Sequence, residues 1–348
     1  MAIHAVIMAG GKGERLWPVS KPGMPKQLHS FGTDRSLLRS TFERLAGITG
    51  SSNIYIVTNA EIAGKIQEQL PELPPGNILV EPVGRNTAPC VAYAALHIAK
   101  KDPEAVMAVF PADHLIGSGA GFHGAISFGI NALGSWPDTL ITLGMVPDHP
   151  ETGYGYIAPG NIIDHKGDFS LHHVLTFKEK PDAATAQEYI DKGFLWNAGM
   201  FIWRVQAILN AFKAHMPKMY GQLMSMGVHG EITEAELREF YETVEPVSID
   251  YGIMEKTNAA GVIPAEFGWD DIGSWDALGK ILPNDESGNA IKGDALLEDS
   301  KNNVVWSTGK RIVLIGVEDF VVVEAEDSIL VCPRNKSQQV SKIAKKMK

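Results

Sequence analysis

Cysteine is nearly absent: the 348 residues hold two, Cys90 and Cys332, in no motif. A disulfide framework is therefore unsupported, and a reducing, cytoplasmic setting is expected. Long apolar runs are missing too. None approaches the roughly 18 residues of a membrane span, so no membrane partner is expected. The N-terminus has no basic stretch ahead of an apolar one, which argues against a signal peptide. Positive charge is scarce, and a net charge of −10 makes nucleic acid a poor partner. The histidines, His172-His173 included, show no zinc-like spacing with cysteine. There is no G-x-S-x-G, which removes a hydrolase elbow. No G-x-x-x-x-G-K-[ST] occurs, and the spacing of the first glycine cluster, G-G-x-G, does not match G-x-G-x-x-G, which argues against a P-loop and an ordinary dinucleotide fingerprint.

What is present begins at residues 8–27, MAGGKGERLWPVSKPGMPKQ. An apolar run, Ala5–Ala9, reads as a buried strand and feeds a loop with Gly10, Gly11 and Gly13. Glycines free the backbone to bend and bring its N–H groups close to a ligand. Arg15 and Lys26 bracket a proline-rich stretch (Pro18, Pro22, Pro25). Backbone amides and two cations on one strand-end loop suit a polyphosphate.

The first half alternates strand and helix signals. Strands are expected at 5–9, 53–57, 77–80, 106–110 and 139–143, with helices at 36–46, 61–70, 87–100 and 122–133. This predicts an α/β domain with a mostly parallel sheet, whose ligands sit beyond the carboxyl ends of the strands. The Gly10 loop, Glu81-Pro82 and Pro111-Ala112-Asp113 all lie at such ends. Further on, strands are expected at 172–178 and 198–203 and helices at 183–192, 205–215, 234–243 and 274–282. A polar stretch at 283–289 marks a boundary, giving domains at 1–285 and 290–348. The second is expected to be a small all-β domain, short β-helix-like, closed by a helix. The basic run Lys342–Lys348 reads as a solvated helix face.

Three segments carry further chemistry. Glu81 precedes Pro82-Val83-Gly84-Arg85-Asn86-Thr87, where Asn86 or Thr87 suits a helix cap. A carboxylate at Glu81 could accept two parallel hydrogen bonds from guanine N1–H and N2–H₂, a donor pair that adenine lacks. Asp113, after an apolar strand and beside a phosphate loop, suits Mg²⁺, which takes one or two carboxylates plus substrate phosphates.

The run G-G-x-G-x-R-L-x-P followed by P-K resembles the signature loop of sugar-1-phosphate nucleotidylyltransferases. Glu81–Pro89 resembles the base-recognition loop of the guanylyltransferases among them, and six ordered motifs over about residues 3–280 are similar to those acting on mannose 1-phosphate. The resemblance implies a Rossmann-like nucleotidyltransferase domain and the substrates GTP and mannose 1-phosphate. The products would be GDP-mannose and pyrophosphate. It places Gly10, Gly11, Gly13, Glu81, Gly84, Asn86 and Thr87 on the nucleotide, and Arg15 and Lys26 on its phosphates. Asp271 of Trp269-Asp270-Asp271-Ile272-Gly273 becomes the partner of Asp113 on Mg²⁺, while Asp270 could instead cap the helix after Ser274 or touch the sugar. Glu179, Lys180, Asn197 and Gly155 are implied for the sugar phosphate. Ser248–Glu255 recurs in the mannose enzymes, with direct contact by Asp250 left open. Another sugar 1-phosphate (manno-heptose or glucose), another nucleotide, a silent GDP-sugar sensor and an NAD-type oxidoreductase stand as alternatives. Longer bacterial relatives add an isomerase domain that this chain has no room for, so a single activity is expected. Apolar positions in the β tail admit a homodimer without distinguishing interface from core.

Overall fold

The computed structural model describes residues 2–11, 13–228 and 230–347. It divides into two compact units that do not follow chain order. The first comprises Met1–Gly10, Thr41–Ala112 and Ile116–Trp269; the second comprises Gly11–Ser40, Asp113–Leu115 and Asp270–Lys348.

The first unit is built on one sheet. Its strands are β1 (Ile3–Met8), β2 (Ile54–Asn59), β3 (Ile78–Glu81), β4 (Val106–Pro111), β5 (Leu140–Met145), β6 (Gly155–Lys166), β7 (Phe169–Glu179), β8 (Leu195–Arg204) and β9 (Ala260–Ala265). They lie in the order β3-β2-β1-β4-β8-β5-β9-β7-β6. Only β7 and β8 oppose the rest, so the sheet is mostly parallel as expected. The central strands are apolar along their whole length because helices cover both faces; β1, β2, β4 and β5 are almost wholly buried. Chain order departs from β1 in two directions, to β2 on one side and β4 on the other, which is the crevice where such sheets take ligands. Gly10 follows β1, and β3 ends on Glu81. Local signals start the helices: Asn59 caps Ala60–Gln69, Ser118 caps Gly119–Ala132, and Thr233 with Glu236 forms a capping box on Glu234–Thr243.

The expected elements form with ends shifted by a few residues. Strands β6 and β9 and the helix Pro217–Ser225 were not expected. Glycine and proline interrupt both strand sequences, and β6 pairs with β7 through several register shifts. The 248–255 segment forms a five-residue π-helical turn, Asp250–Met254.

The second unit carries the β tail: β10 (Ala290–Lys292), β11 (Ala295–Glu298), β12 (Val304–Ser307), β13 (Ile312–Ile315), β14 (Phe320–Ala325) and β15 (Ser328–Pro333). Ala290 lies opposite Val304, which lies opposite Val321, all parallel; β11 and β13 form a second parallel pair, and β15 closes antiparallel on β14. This is the expected short β-helix-like coil, with β10 and β11 as an additional turn. Buried Asn289 and Asn303 stack at one corner, Asn303 Nδ2 donating to Asn289 Oδ1 at 3.0 Å and to the Val317 carbonyl at 2.8 Å. Val304, Trp306, Val321 and Val323 share one core with Leu16, Val19, Phe31 and Leu37. The Trp275 indole N–H donates to the Trp17 carbonyl at 3.0 Å. The apolar residues of the Gly-rich loop are thus anchored on the coil, at about 1.5–3 kcal/mol for each large side chain buried. The helix Val340–Lys346 ends the unit; Lys348, last of the basic run, lies outside the described residues. No helix of the described residues is long and apolar enough to cross a membrane.

Candidate active site

In the second unit Gly13, Arg15, Lys26, Asp113 and Asp271 line one cavity of about 380 Å³. Lys26 organises it. The side chain sits in the short turn Lys26–Leu28, is 6% exposed, and donates to Asp113 Oδ2 at 2.8 Å and to the Asp271 carbonyl. Burial alone would raise the Asp113 pKa, but the Lys26 charge and hydrogen bond, with His114, outweigh it and hold the carboxyl below its ordinary range. Asp270 Oδ1 accepts the Ile272 N–H at 2.6 Å, and Ile272 takes a left-handed φ of 46°. The Asp270 carboxylate thus braces the turn that presents Asp271 and does not cap the following helix. Ser274 caps the following helix through the Ala277 N–H.

Gly13 is held to glycine twice over. Its φ is +61°, and a Cβ there would lie 2.6 Å from Lys26 Cβ and from Ser20 Oγ. Left-handed strain plus overpacking predicts that Gly13→Ala costs about 2–4 kcal/mol. Urea unfolding checks this; a change under about 0.5 kcal/mol would show that the loop adapts. A Cβ at Gly11 or Gly84 meets nothing within 4 Å among the described residues, so space alone holds neither position to glycine.

The first unit holds the other expected residues in two groups. Glu81 is 5% exposed. Burial, partly offset by the Tyr241 hydroxyl, pushes its pKa up to about 7. Its Oε1 has no hydrogen-bond partner among the described residues, and a Cβ at Gly10 would lie 3.4 Å from its Oε2. Asn86 (φ 71°, ψ −172°) takes a backbone region nearly confined to glycine and caps Thr87–Lys101 by accepting the Thr87 N–H at 2.8 Å. Thr87 Oγ1 accepts the Ile249 N–H at 2.9 Å. Of the two cap candidates Asn86 is the cap, while Thr87 ties the loop to Ile249.

The second group gathers Gly155, Glu179, Lys180, Asn197 and Asp250. Asn197 Nδ2 donates to Asp250 Oδ1 at 2.7 Å, and Asn197 Oδ1 accepts the Gly199 N–H. A Cβ on Gly155 would collide with the Glu179 carboxylate, so that glycine makes room for a side chain of this chain. Burial raises the pKa of both Glu179 and Asp250, Asp250 adding to the shift of Glu179. Lys180 has a left-handed φ of 44°, is largely exposed, and lies 3.6 Å from Glu179. Residues 249–250 join the two groups, one through Thr87 and the next through Asn197.

Sequence reasoning missed Tyr241, which lies far along the chain from Glu81, and an aromatic wall in which Tyr154 packs edge-on against Trp196 and Trp269 at 5.2 and 5.1 Å. It also missed Ser341 and Lys345, which line the Lys26 cavity. Nothing in a run of lysines singles out one that faces inward.

Asp113 and Asp271 offer hard oxygen ligands. Among the described residues no group of three or more His, Cys, Asp or Glu could hold an ion alone. Two carboxylates on one cavity beside cationic side chains fit Mg²⁺ shared with phosphate oxygens.

Comparison with known proteins shows the family. The nucleotidyl transferase family matches residues 4–288, and the MannoseP isomerase/GMP-like beta-helix domain matches residues 293–347. The chain is 38% identical to a mannose-1-phosphate guanylyltransferase of Salmonella montevideo, covering 99% of this chain and 74% of that one. It is 36% identical to the mannose-1-phosphate guanylyltransferase of Escherichia coli K12, covering 99% and 73%. Its structure superimposes on a mannose-1-phosphate geranyltransferase from Thermus thermophilus with a TM-score of 0.88 at 32% identity, covering 100% of this chain and 99% of that chain.

Proposed function

Because the chain belongs to the nucleotidyl transferase family, among the mannose-1-phosphate guanylyltransferases, we propose that it transfers GMP from GTP to α-D-mannose 1-phosphate, giving GDP-mannose and pyrophosphate. The observation that carries the reading is the single cavity lined by Arg15, Lys26, Asp113 and Asp271. A phosphate oxygen of the sugar phosphate attacks the α-phosphorus of GTP in line, and the bond from that phosphorus to the oxygen bridging to the β-phosphate breaks. The electron pair leaves with pyrophosphate. A phosphate monoester is already ionised near neutral pH, so no general base is required. What remains is to bring two polyanions together and stabilise the charge that spreads, which is positioning and electrostatics.

Arg15 and Lys26 hold the triphosphate and the departing pyrophosphate. Asp113 and Asp271 are the residues that would hold Mg²⁺, whose charge there neutralises phosphate oxygens. Lys180 meets the sugar phosphate, and Glu179 and Asn197 take sugar hydroxyls. Asp250 keeps the Asn197 amide oriented. Gly10, Gly11, Gly13 and Gly84 keep backbone close to the nucleotide, with Asn86 and Thr87 shaping the loop. A cytoplasmic setting and a homodimer belong to the same reading. The test is pyrophosphate release with Mg²⁺ across GTP, ATP, dTTP, UTP and CTP, each with mannose 1-phosphate or glucose 1-phosphate. GTP with mannose 1-phosphate should dominate; release with another pair would overturn the base or the sugar assignment.

Glu81 reads the base. Its buried Oε1, without a hydrogen-bond partner among the described residues, supports a role in accepting two donors, and guanine presents such a pair. The carboxylate must be ionised to accept both, and burial holds its pKa up to about 7 in the free protein. Guanine binding favours the ionised form, so GTP binding releases a proton below that pH and affinity rises with pH until it levels off. At pH 6 the KM for GTP should be about tenfold above its plateau, since about a tenth of the sites are then ionised. Glu81→Gln should flatten that profile and reduce the preference for GTP over ATP by about 10- to 100-fold. An unchanged base preference would remove Glu81 from recognition.

A further inference from the structure

The helix Val340–Lys346 is fixed on the Gly-rich loop by its buried face. Val340 joins the core that holds Leu16 and Val19, and Ala344, one turn on, is buried as well. Residues four apart share a face, so Ser341 and Lys345 form the adjacent row. Both line the cavity with Arg15, Lys26, Asp113 and Asp271. Lys345 Nζ lies 3.8 Å from Glu14 Oε2; its side chain is 68% exposed and that of Glu14 19%. A pair this long and this wet contributes little, so the ammonium is free to leave it for a stronger anion. The charge balance of the cavity points the same way. Among its described residues Arg15, Lys26 and Lys345 face Glu14, Asp113 and Asp271, and Lys26 is already engaged by Asp113. A triphosphate needs cations that are not tied up internally, and Lys345 is one that can move.

We infer that Lys345, with the Ser341 hydroxyl beside it, is a polyphosphate-binding residue of this cavity. It exchanges the Glu14 carboxylate for phosphate oxygens of the bound triphosphate and keeps hold of the leaving pyrophosphate. The inference rests on the proposed reaction for the identity of the ligand, but not for the anion chemistry. The Gly-rich loop and the last helix of the β tail thereby act on the same ligand. Mannose 1-phosphate should be indifferent to Lys345, because its phosphate is assigned to Lys180.

The experiment measures binding of inorganic tripolyphosphate and of GTP by calorimetry, together with KM for each substrate. The wild type is compared with Lys345→Met, Ser341→Ala and Lys342→Met, the last removing an exposed lysine of the same helix that does not line the cavity. Lys345→Met should weaken tripolyphosphate and GTP about tenfold, the scale of one charged hydrogen bond. Ser341→Ala should weaken them less, and KM for mannose 1-phosphate should stay within twofold. Lys342→Met should match the wild type in every measurement. Equal binding by Lys345→Met and the wild type overturns the inference, and so does an equal loss in Lys342→Met, which would reduce the effect to diffuse charge. A wild type that binds tripolyphosphate through Lys345 yet releases no pyrophosphate with any substrate pair would overturn the proposed reaction and leave this site standing.

Discussion

Replacing Asp271 with alanine is expected to lower kcat at least a thousandfold while the protein stays folded. The separation of the two effects follows from how the turn is built. Lys26 donates to the Asp271 backbone carbonyl, which alanine retains. Asp270, not Asp271, accepts the Ile272 N–H that holds the turn. What disappears is one of two carboxylates lining the cavity. Removing a group that stabilises transition-state charge costs about 10²–10³ where one neutral donor is lost, and more where a divalent ion loses a ligand. Two measurements check this: kcat at saturating substrates, and the Mg²⁺ concentration for half-maximal rate, which should rise. EDTA should abolish turnover of the wild type. A variant within tenfold of the wild type at an unchanged Mg²⁺ requirement would remove Asp271 from the metal site. Asp113 is the less clean choice, because its loss would also strip a buried ammonium of its counter-ion.

Lys26→Met should lower kcat by two orders of magnitude or more and lower stability as well. The methionine keeps the apolar stem but not the charge that holds Asp113 ionised. Without Lys26, burial is the largest influence left on Asp113 and pushes its pKa up. In the wild type the Asp113 pKa lies below its unfolded value of 3.8, so the pair stabilises the fold at all pH above that value, and the contribution fades as pH falls through the folded pKa. The difference in Tm between wild type and variant should therefore be largest near neutral pH and shrink in acid below about 4. Lys26→Arg is not expected to rescue activity. The ammonium is a point charge among three oxygens, Asp113 Oδ2 and the carbonyls of Asp271 and Ile272, in a site that is 6% exposed. A planar fork does not fit that arrangement. An active arginine variant would mean that charge alone is sufficient.

The sheet was legible because β1, β2, β4 and β5 are apolar runs punctuated by glycine, proline and helix caps, and local chemistry alone decides such segments. The candidate residues at strand ends were legible for the same reason: Gly10 and Glu81 follow an apolar run at once, and Asp113 comes three residues after Phe110. Strand β9, AGVIPA, was not, because glycine and proline weaken its local strand signal and only pairing with β5 and β7 makes it a strand. Strands β10 and β11 are three and four residues long and gain their stability from neighbours in the coil, which no local pattern shows. At the site, the direct pairing of Lys26 with Asp113 was not expected, since Lys26 was read as a phosphate ligand and Asp113 as a ligand of Mg²⁺. Tyr241 beside Glu81 and Lys345 beside Arg15 depend on tertiary packing across long stretches of chain. Leu16 and Val19 look like incidental loop residues until the coil is seen beneath them.

That shared core decides what can be recombined. In exchanges between relatives, a crossover near residue 288 would look safe in chain order, yet it would seat the loop side chains Leu16, Val19, Phe31 and Leu37 on a foreign coil. The heritable unit is residues 11–40 together with 270–347. Lineages should therefore trade these segments together or alter them in step, and a chimera that divides them should regain function through substitutions on the Leu16–Trp306 side of the core rather than among the charged groups.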